Sequence, residues 1–353
     1  MENSAKQASP VTSCVTKVHS VEEYLKAVDN AYKKLCSKSE KCELWFRGQK
    51  QFNQPSNRPE DRWDLIPSIA RKPYNPLMEV IFMSKFKSYA IPFVQELPSF
   101  PIPNGQAAYW HWLFLMQHYG VPTRIMDWSR DALTGLFFAL EGRGDKERGK
   151  DAAVWILNPV RLNEAFSFYS FVNPGYIPNV DEDVVNLYFG PNAELGNNKP
   201  AAVIGPLNNP HIVAQKGVFT VFPHEREITP LNLLPDASNY LLEICIDGNS
   251  DKAILEQLER YGITHFSLYP DITEVRGQIN LEIREEGQVP SESDKSSKKQ
   301  DKKNQLINKT KDQQLNKQSK QLTNKQSKQP TNKQRTIKKA KNKMKNFKKN
   351  NSK

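Results

Sequence analysis

Long apolar runs are missing from this 353-residue sequence. No stretch approaches the roughly 18 apolar residues that a membrane-spanning helix needs. Residues 1–13 are polar and lack the apolar core of a secretory signal peptide. The sequence therefore predicts a soluble, cytoplasmic protein.

Cysteine is scarce, and the four cysteines, Cys14, Cys36, Cys42 and Cys245, form no Cys-x-x-Cys pair. No histidine lies beside them at the spacing of a zinc site. They are predicted to be buried or incidental thiols in a reducing compartment. Neither a disulfide framework nor a metal site is expected.

Three common catalytic signatures are also absent from the sequence. They are the Gly-x-Ser-x-Gly motif of serine hydrolases, the complete Gly-x-x-x-x-Gly-Lys-Ser/Thr phosphate loop and the His-Glu-x-x-His motif of zinc proteases. None of these three enzyme classes is predicted.

Acidic residues are few at one end of the chain. Residues 291–353 hold 21 Lys/Arg and 4 Asp/Glu, a net charge of +17, whereas the whole chain carries +11, so residues 1–290 carry −6. The segment is rich in Lys, Gln, Asn and Ser and has too few apolar residues to offset its chain entropy. It is predicted to be disordered and to bind nucleic acid or another polyanion by counterion release, or else to act only as a solubilising tail.

Helical signals are concentrated in the first half of the chain. A Ser-x-x-Glu capping box at Ser20 opens the first predicted helix. An almost wholly apolar segment after Asn104, a plausible N-cap, predicts a buried helix that ends at Gly120, and Ser129 is expected to cap the next helix. The predicted helices are Val21–Leu35, one that carries Met78 to Tyr89, 104–119, Ala132–Leu140 and Asp251–Tyr261.

Strand signals lie mainly in the second half. The predicted strands are Glu43–Gln49, Ala152–Leu157, Ala201–Ile204, Ile212–Gln215, Gly217–Phe222 and Tyr240–Ile246. This order of elements predicts an α+β fold, with a helical first half packed on a mixed or antiparallel sheet, and not a doubly wound sheet. The predicted organisation is a disordered N-terminus over 1–17, one domain over 18–285 and a disordered tail over 286–353.

The stretch from Gln117 to Ser129 places polar side chains between two apolar helices. Polar residues in a turn between buried elements are a usual location for ligand binding or chemistry. A second candidate position is Arg47-Gly48, expected at a strand end, where Gly48 would let a ligand or a turn approach the backbone. The alternative there is a surface arginine beside a turn.

Four ordered motifs together resemble the FRG domain family, which is named for a Phe/Tyr-Arg-Gly motif near its start. The motifs are Trp45-Phe46-Arg47-Gly48-Gln49, the segments 65–71 and 117–128, and Ala214-Gln215-Lys216-Gly217-Val218-Phe219-Thr220. The resemblance spans roughly residues 18–285. It implies a bacterial or phage protein and brings no general activity with it. Where the family commonly has Arg shortly before Ala-Gln, this chain has His211, which puts an anion contact there in doubt.

A weaker resemblance is to ADP-ribosyltransferases, which place Arg or His followed by Gly on a first strand and Glu or Gln on a later one. Arg47, Asp127 and Gln215 would then be the catalytic residues and NAD the cofactor. Asp127 would favour the cationic charge that develops when the nicotinamide bond breaks. Gln215 could hold the ribose but could not act as a general base, which counts against efficient catalysis.

Further candidates are assigned to ligand binding. Arg47 and Arg124 could bind phosphate oxygens bidentately, and the helix start at Ser129 could offer free N–H groups to an anion. The structural alternatives are an Arg124–Asp127 pair that ties the turn and a packing role for His118. The candidate ligand-binding residues are Gly48, Gln49, Arg71, Gln117, His118, Thr123, Arg124 and Ser129.

Two functions therefore compete. The favoured hypothesis is a module that recognises a ligand or a protein partner, with defence against phage as one setting. The alternative is an NAD-dependent ADP-ribosyltransferase-like enzyme or NAD glycohydrolase that uses a cleft formed by Arg47, Asp127 and Gln215.

Overall fold

A seven-stranded β-sheet forms the centre of the fold in a computed structural model of the chain, which describes residues 14–36, 42–53, 62–96, 102–144, 147, 149–165, 175–191, 193 and 199–286. The strands are β1 Cys14–Val18, β2 Trp45–Gln49, β3 Ile125–Ser129, β4 Ala152–Leu157, β5 Ala201–Val203, β6 Gly217–Val221 and β7 Leu241–Ile246. Their order across the sheet is β1-β7-β4-β2-β3-β6-β5.

The described residues form ten α-helices. They are α1 Val21–Leu35, α2 Glu79–Ala90, α3 Gln106–His118, α4 Ala132–Leu140, α5 Pro159–Ala165, α6 Asp183–Phe189, α7 Pro210–Ala214, α8 Asp251–Arg260, α9 His265–Leu268 and α10 Ile272–Glu286. None of these helices is both long and apolar enough to cross a membrane.

The sheet is mixed. β1 runs parallel to β7, and the remaining pairings among the described strands are antiparallel. All residues of β4 and β7 are buried, which explains why both strands read as continuous apolar runs. The predicted α+β class with a mixed sheet is confirmed.

Two groups of helices cover different parts of the sheet. One apolar cluster joins α1, α4 and α8 to β2, β4 and β7 and includes Tyr24, Phe46 and Leu136. A second joins α2, α3 and α6 to β3, β5 and β6 and includes Trp110 and Phe219. A third cluster surrounds three buried tryptophans, Trp45, Trp128 and Trp155.

The sheet is weakly joined at its middle. β2 pairs with β4 over five residues, from Trp45 with Leu157 to Gln49 with Ala153. By contrast, β2 and β3 are joined by one residue pair, Phe46 with Ser129. Among the described residues, the ladder between β2 and β3 has no other residue pair, and we refer to this position as the seam.

Local sequence rules account for several elements. The bounds of α1, α4 and β4 are those that the sequence predicts. In α1, the Ser20 side chain accepts from the Glu23 N–H, while the Glu23 carboxylate accepts from the His19 N–H at 2.8 Å. Gly120 follows α3 with φ +74°, the left-handed conformation expected of a C-terminal glycine.

Other predictions are wrong. The strand predicted over Ile212–Gln215 lies largely in α7, because Asn209 caps the helix and Pro210 occupies its first turn. Ser129 ends β3, and the cap of α4 is Asp131, whose side chain accepts from Leu133 and Thr134. The N-cap of α3 is Gly105, not Asn104.

The structure describes residues 14–17 of the predicted N-terminal segment and one residue of the predicted tail. Disorder was expected to residue 17, but Cys14–Val18 form β1. The tail predicted over 286–353 lies, apart from Glu286, outside the described residues.

One pair of cysteines corrects the sequence analysis. Cys36 and Cys42 form a disulfide with a Cα–Cα distance of 5.7 Å, so the prediction of free thiols is wrong for this pair. Cys36 follows α1 and Cys42 precedes β2, so the bond ties the first helix to the central strand. Cys245 is a buried, free thiol.

Candidate functional site

A cavity of about 420 Å³ lies at the seam, between β2, β3, the end of α3, α4 and α7. This volume is within the range of small-ligand sites. Seven residues that the sequence singled out line it: Arg47, Gly48, Gln117, His118, Asp127, Ser129 and Gln215. Most of the remaining wall consists of Asn209, His211, Tyr269 and four phenylalanines, Phe46, Phe114, Phe138 and Phe219.

Arg47 crosses the seam. Its guanidinium donates a hydrogen bond of 2.5 Å to the backbone oxygen of Asp127 on β3. Arg47 is the third residue of β2, a central strand that ends in Arg47-Gly48-Gln49, as the sequence predicts. Burial lowers the pKa of the Arg47 guanidinium, the charge of Asp127 opposes that change, and Arg71 adds to it.

Asp127 presents a carboxylate to the cavity. The residue is exposed and lines the cavity. Desolvation by the packed protein around it raises the pKa of the Asp127 carboxyl, although the Arg47 charge and a hydrogen bond from Gln117 favour the ionised form. The Gln117 Nε2–Asp127 Oδ2 distance is 2.8 Å.

A chain of hydrogen bonds fixes Gln117. The Thr123 hydroxyl donates to Gln117 Oε1, which leaves the amide N–H groups of Gln117 directed at Asp127. Thr123 is fully buried, and its backbone exchanges hydrogen bonds with the Ser68 hydroxyl at 3.0 and 3.2 Å. Thr123 therefore orients a cavity residue and does not line the cavity itself.

The space beside the Gly48 Cα is filled by α4. A Cβ atom placed on it would meet backbone atoms of α4 at Gly135, Phe138 and Ala139. The expected close approach to this glycine is thus made by a helix.

Aromatic rings line the far side of the cavity. The His118 and His211 ring centroids are 5.1 Å apart, and the His211 ring is 5.6 Å from that of Tyr269. Tyr269 in turn stacks on His265 at 4.5 Å. Burial and the neighbouring charge of His211 lower the pKa of His118. The Tyr269 pKa is raised to about 12 by burial and by the carboxylates of Glu141, Asp127 and Glu274.

Gln215 and Ser129 are partly committed to the fold. The Gln215 amide donates to the Leu268 carbonyl at 3.0 Å, which holds α9 against the cavity wall. The Ser129 hydroxyl donates to the Gln215 carbonyl at 2.7 Å and accepts from the Asp131 N–H at 2.9 Å. Ser129 therefore does not provide a helix start for an anion.

Arg124 is not among the residues that line the cavity at the seam. It is buried and pairs with Glu79, with an Nε–Oε2 distance of 2.9 Å, so the predicted alternative of an Arg124–Asp127 pair is wrong. Its remaining donors meet the Tyr109 hydroxyl and the carbonyls of Phe189 and Phe222. Although burial acts against it, Tyr109 and Glu79 raise the pKa of Arg124. Arg124 borders a second cavity, of about 360 Å³, beside α2.

Two further predicted ligand residues lie outside the cavity wall. Gln49 is buried, accepts from the Trp155 indole at 2.6 Å and donates to the Trp63 carbonyl, so it ties β2 to β4 and to the following loop. Arg71 is exposed and donates to the Ile66 carbonyl at 3.4 Å. Its charge nevertheless acts on Arg47.

Several residues of the site were missed. Asn209 is 5 % exposed, and its Oδ1 accepts from the His211 N–H at 2.7 Å; Asn209 preceding Pro210 is a recognisable helix start. Tyr269 carried no signal, because its place in the cavity wall depends on the tertiary fold. Outside this cavity, Glu79 was also missed, because it lies 45 residues before its partner Arg124.

The site holds opposite charges within a mainly aromatic wall. Arg47 can donate to an anion, Asp127 can accept from a cation or a hydrogen-bond donor, and the rings can stack on a flat group. Among the described residues, no group of three or more His, Cys, Asp or Glu side chains is placed to hold a metal ion.

Comparison with known proteins supports the resemblance read from the motifs. Residues 42–148, less than a third of the chain, match the family model of the FRG domain. The match contains Arg47, Gly48, Gln117 and Asp127 and ends before the part of the cavity formed by His211, Gln215 and Tyr269. Searches among curated proteins and solved structures gave no significant match.

Proposed function

We propose that this chain is a recognition module that binds a small polar ligand in the cavity at the seam. Arg47 and Gln117 direct hydrogen-bond donors to the same wall, and aromatic rings supply apolar contact area. Sites of this kind combine a mainly apolar lining with a few oriented polar groups.

The observation that carries the proposal is the set of hydrogen bonds that holds the Asp127 carboxylate in the cavity wall. Asp127 is open to the cavity, and desolvation by the surrounding protein disfavours the charge of its carboxylate. The series Ser68, Thr123 and Gln117 holds the carboxylate in place. A disfavoured charge with dedicated supports is typical of a functional group.

A thermal-shift screen of the full chain tests the proposal. Nucleotides, sugars and amino acids serve as probes, and a ligand of this cavity is expected to raise the Tm of the parent chain. The shift should be lost in Asp127→Asn and kept in Asp29→Asn, a change at an exposed position on α1. Shifts that are equal in both variants, or the absence of any shift, would overturn the proposal.

An NAD-consuming enzyme is the second candidate. In its favour, Arg47, Asp127 and Gln215 line one cavity. Against it, the Gln215 amide already donates to the Leu268 carbonyl. The test is NAD⁺ turnover by the full chain. The enzyme is supported if Arg47→Gln and Asp127→Asn abolish turnover and the exposed-site control Arg260→Gln keeps it. Folded protein without turnover removes it.

For the segment 291–353 we propose a separate role in binding polyanions such as nucleic acid. Its net charge of +17 supports this proposal, and a cytoplasmic location, which the composition predicts, would supply such partners. Retention on immobilised nucleic acid should fall steeply as salt rises and should be lost when residues 291–353 are deleted. Unchanged retention after the deletion contradicts this role.

A further inference from the structure

The charges that line the cavity are separated in an unusual way. Arg47 and Asp127 lie on adjacent strands, yet the Arg47 guanidinium donates to the backbone oxygen of Asp127 and not to its carboxylate. The carboxylate accepts hydrogen bonds from Gln117, a neutral side chain, and from the Asp127 backbone N–H. Each charge is therefore only partly compensated within the protein.

The pKa values agree with this geometry. The pKa of Arg47 is lowered and that of Asp127 is raised, so the environment disfavours the charged form of both groups. A bound group of opposite charge would relieve each of them. Because the two charges have opposite sign, one ligand must carry both signs to relieve both.

The surroundings distinguish the two sides of the cavity. On the Arg47 side, the nearby charge of Arg71 is also positive. On the other side, the carboxylates of Asp127, Glu141 and Glu274 all act on the Tyr269 ring. Glu141 and Glu274 each lie 3.2 Å from a ring nitrogen of His265, whereas Asp127 lines the cavity together with Tyr269. An aromatic ring beside a carboxylate favours a flat cation. The cation can stack on the ring face and is attracted by the charge of the carboxylate.

We infer that the cavity binds a zwitterionic ligand, with a planar cationic group between Asp127 and Tyr269 and an anionic group at Arg47. This inference deepens the proposed function and rests on it. The assigned class is a small molecule in which a cationic aromatic ring and an acidic group such as a phosphate are joined by a short linker. Arg47 is the donor for the acidic group because a guanidinium offers several N–H groups to one anion.

Three related probes test the cationic group and the anionic group of the ligand separately. Nicotinamide mononucleotide carries a cationic ring and a phosphate, its riboside lacks the phosphate, and its reduced form has a neutral ring. Isothermal titration calorimetry on the full chain should show that the mononucleotide binds roughly tenfold to a hundredfold more tightly than either relative, as expected for hydrogen bonds to charged groups.

Variants assign each preference to a residue. Asp127→Asn should remove the preference for the cationic ring, and Arg47→Gln the preference for the phosphate. The exposed-site controls Asp29→Asn and Arg260→Gln should keep both preferences. If Arg47→Gln does not fold, the comparison of the three probes on the parent chain still decides the question.

Two results overturn the inference: no measurable binding of the three probes, or preferences that survive in the matching variant. Failure of this inference is distinguishable from failure of the proposed function. A neutral or singly charged ligand that depends on Asp127 in the thermal-shift screen keeps the cavity as a binding site and removes the zwitterion. A screen without any cavity-dependent ligand removes both.

Discussion

Gly48 of β2 and Ala139 of α4 lie so close together that a Cβ atom on Gly48 would stand 2.2 Å from the Ala139 amide nitrogen. The same atom would be 2.3 Å from the carbonyl oxygen of Gly135. In return, a Cβ on Gly135 would be 2.7 Å from that of Phe46. The glycine of the Phe-Arg-Gly sequence is thus required for helix packing, and it places α4 against the strand that carries Arg47.

Substitution of Gly48 should be severe. We expect Gly48→Ala to destabilise the protein by about 3 kcal/mol or more, because the added methyl group meets backbone atoms, which cannot rotate away. Gly120→Ala is the control: its Cβ meets open space, and its left-handed φ of +74° should cost about 1 kcal/mol. Urea denaturation measures both, and equal midpoints for the two variants would contradict the packing role.

The buried Arg124–Glu79 pair should matter for stability and not for ligand affinity. Glu79→Ala leaves the buried Arg124 charge without its partner and should cost about 3–5 kcal/mol. The double change Glu79→Leu with Arg124→Met should cost less than the sum of the single changes. A double-mutant cycle in urea measures the coupling. Additive effects would show that the pair is not coupled.

Asp127 should reduce stability near neutral pH. Its folded pKa is raised, so ionisation is harder in the folded than in the unfolded chain, and stability falls as pH rises through the unfolded and then the folded pKa. Asp127→Asn should therefore raise the Tm at pH 7, and the gain should shrink as the pH approaches about 3.9, the usual pKa of Asp. Melting curves at both pH values, beside Asp29→Asn, provide the measurement. A lower Tm at pH 7 would contradict this sign.

Acid sensitivity should depend on Asp247. Its carboxylate lies 2.8 Å from Lys17 Nζ, and hydrogen bonds from Lys17 and Ser250 lower its pKa to about 2. Because the folded pKa is depressed, the stabilisation is present above the unfolded pKa near 3.9 and is lost as pH falls through about 2. The urea midpoint of the parent chain should drop more between pH 5 and pH 2.5 than that of Asp247→Asn. Equal drops would assign the acid sensitivity to other groups.

Reduction should weaken the connection between α1 and β2. Cys36 and Cys42 are six positions apart, and closing so short a loop contributes about 2 kcal/mol in the chain-entropy description. Dithiothreitol should lower the free energy of unfolding by about this amount in the parent chain and have no effect on Cys36→Ser with Cys42→Ser. An effect that persists in the double variant would arise from another thiol.

Sequence patterns locate elements well where local rules decide. The capping residue Ser20 and the apolar spacing after it predict α1 to the residue, and the apolar run Ala152–Leu157 predicts β4. The prediction fails at Ile212–Gln215, because β-branched residues favour a strand but the Asn209 cap and Pro210 start a helix. The disulfide is missed because the spacing of Cys36 and Cys42 alone does not show that their chains meet.

The candidate site is predictable only in part for the same reason. Gln117 and Asp127 are close in sequence, and their hydrogen bond joins the two ends of one turn. Arg124 lies in that same stretch but points to Glu79 on α2, a contact that no spacing rule connects. The motif comparison marks the position of His211 on α7, but only the tertiary fold brings it together with Tyr269, the residue after α9.

The single residue pair at the seam has a mechanical consequence. It divides the sheet into a half formed by β1, β7, β4 and β2 and a half formed by β3, β6 and β5. Arg47 belongs to the first half and Asp127 to the second, so a ligand held by both acts as a non-covalent cross-link. Occupancy of the cavity should then make the two halves open together, with slower amide exchange on either side of the seam.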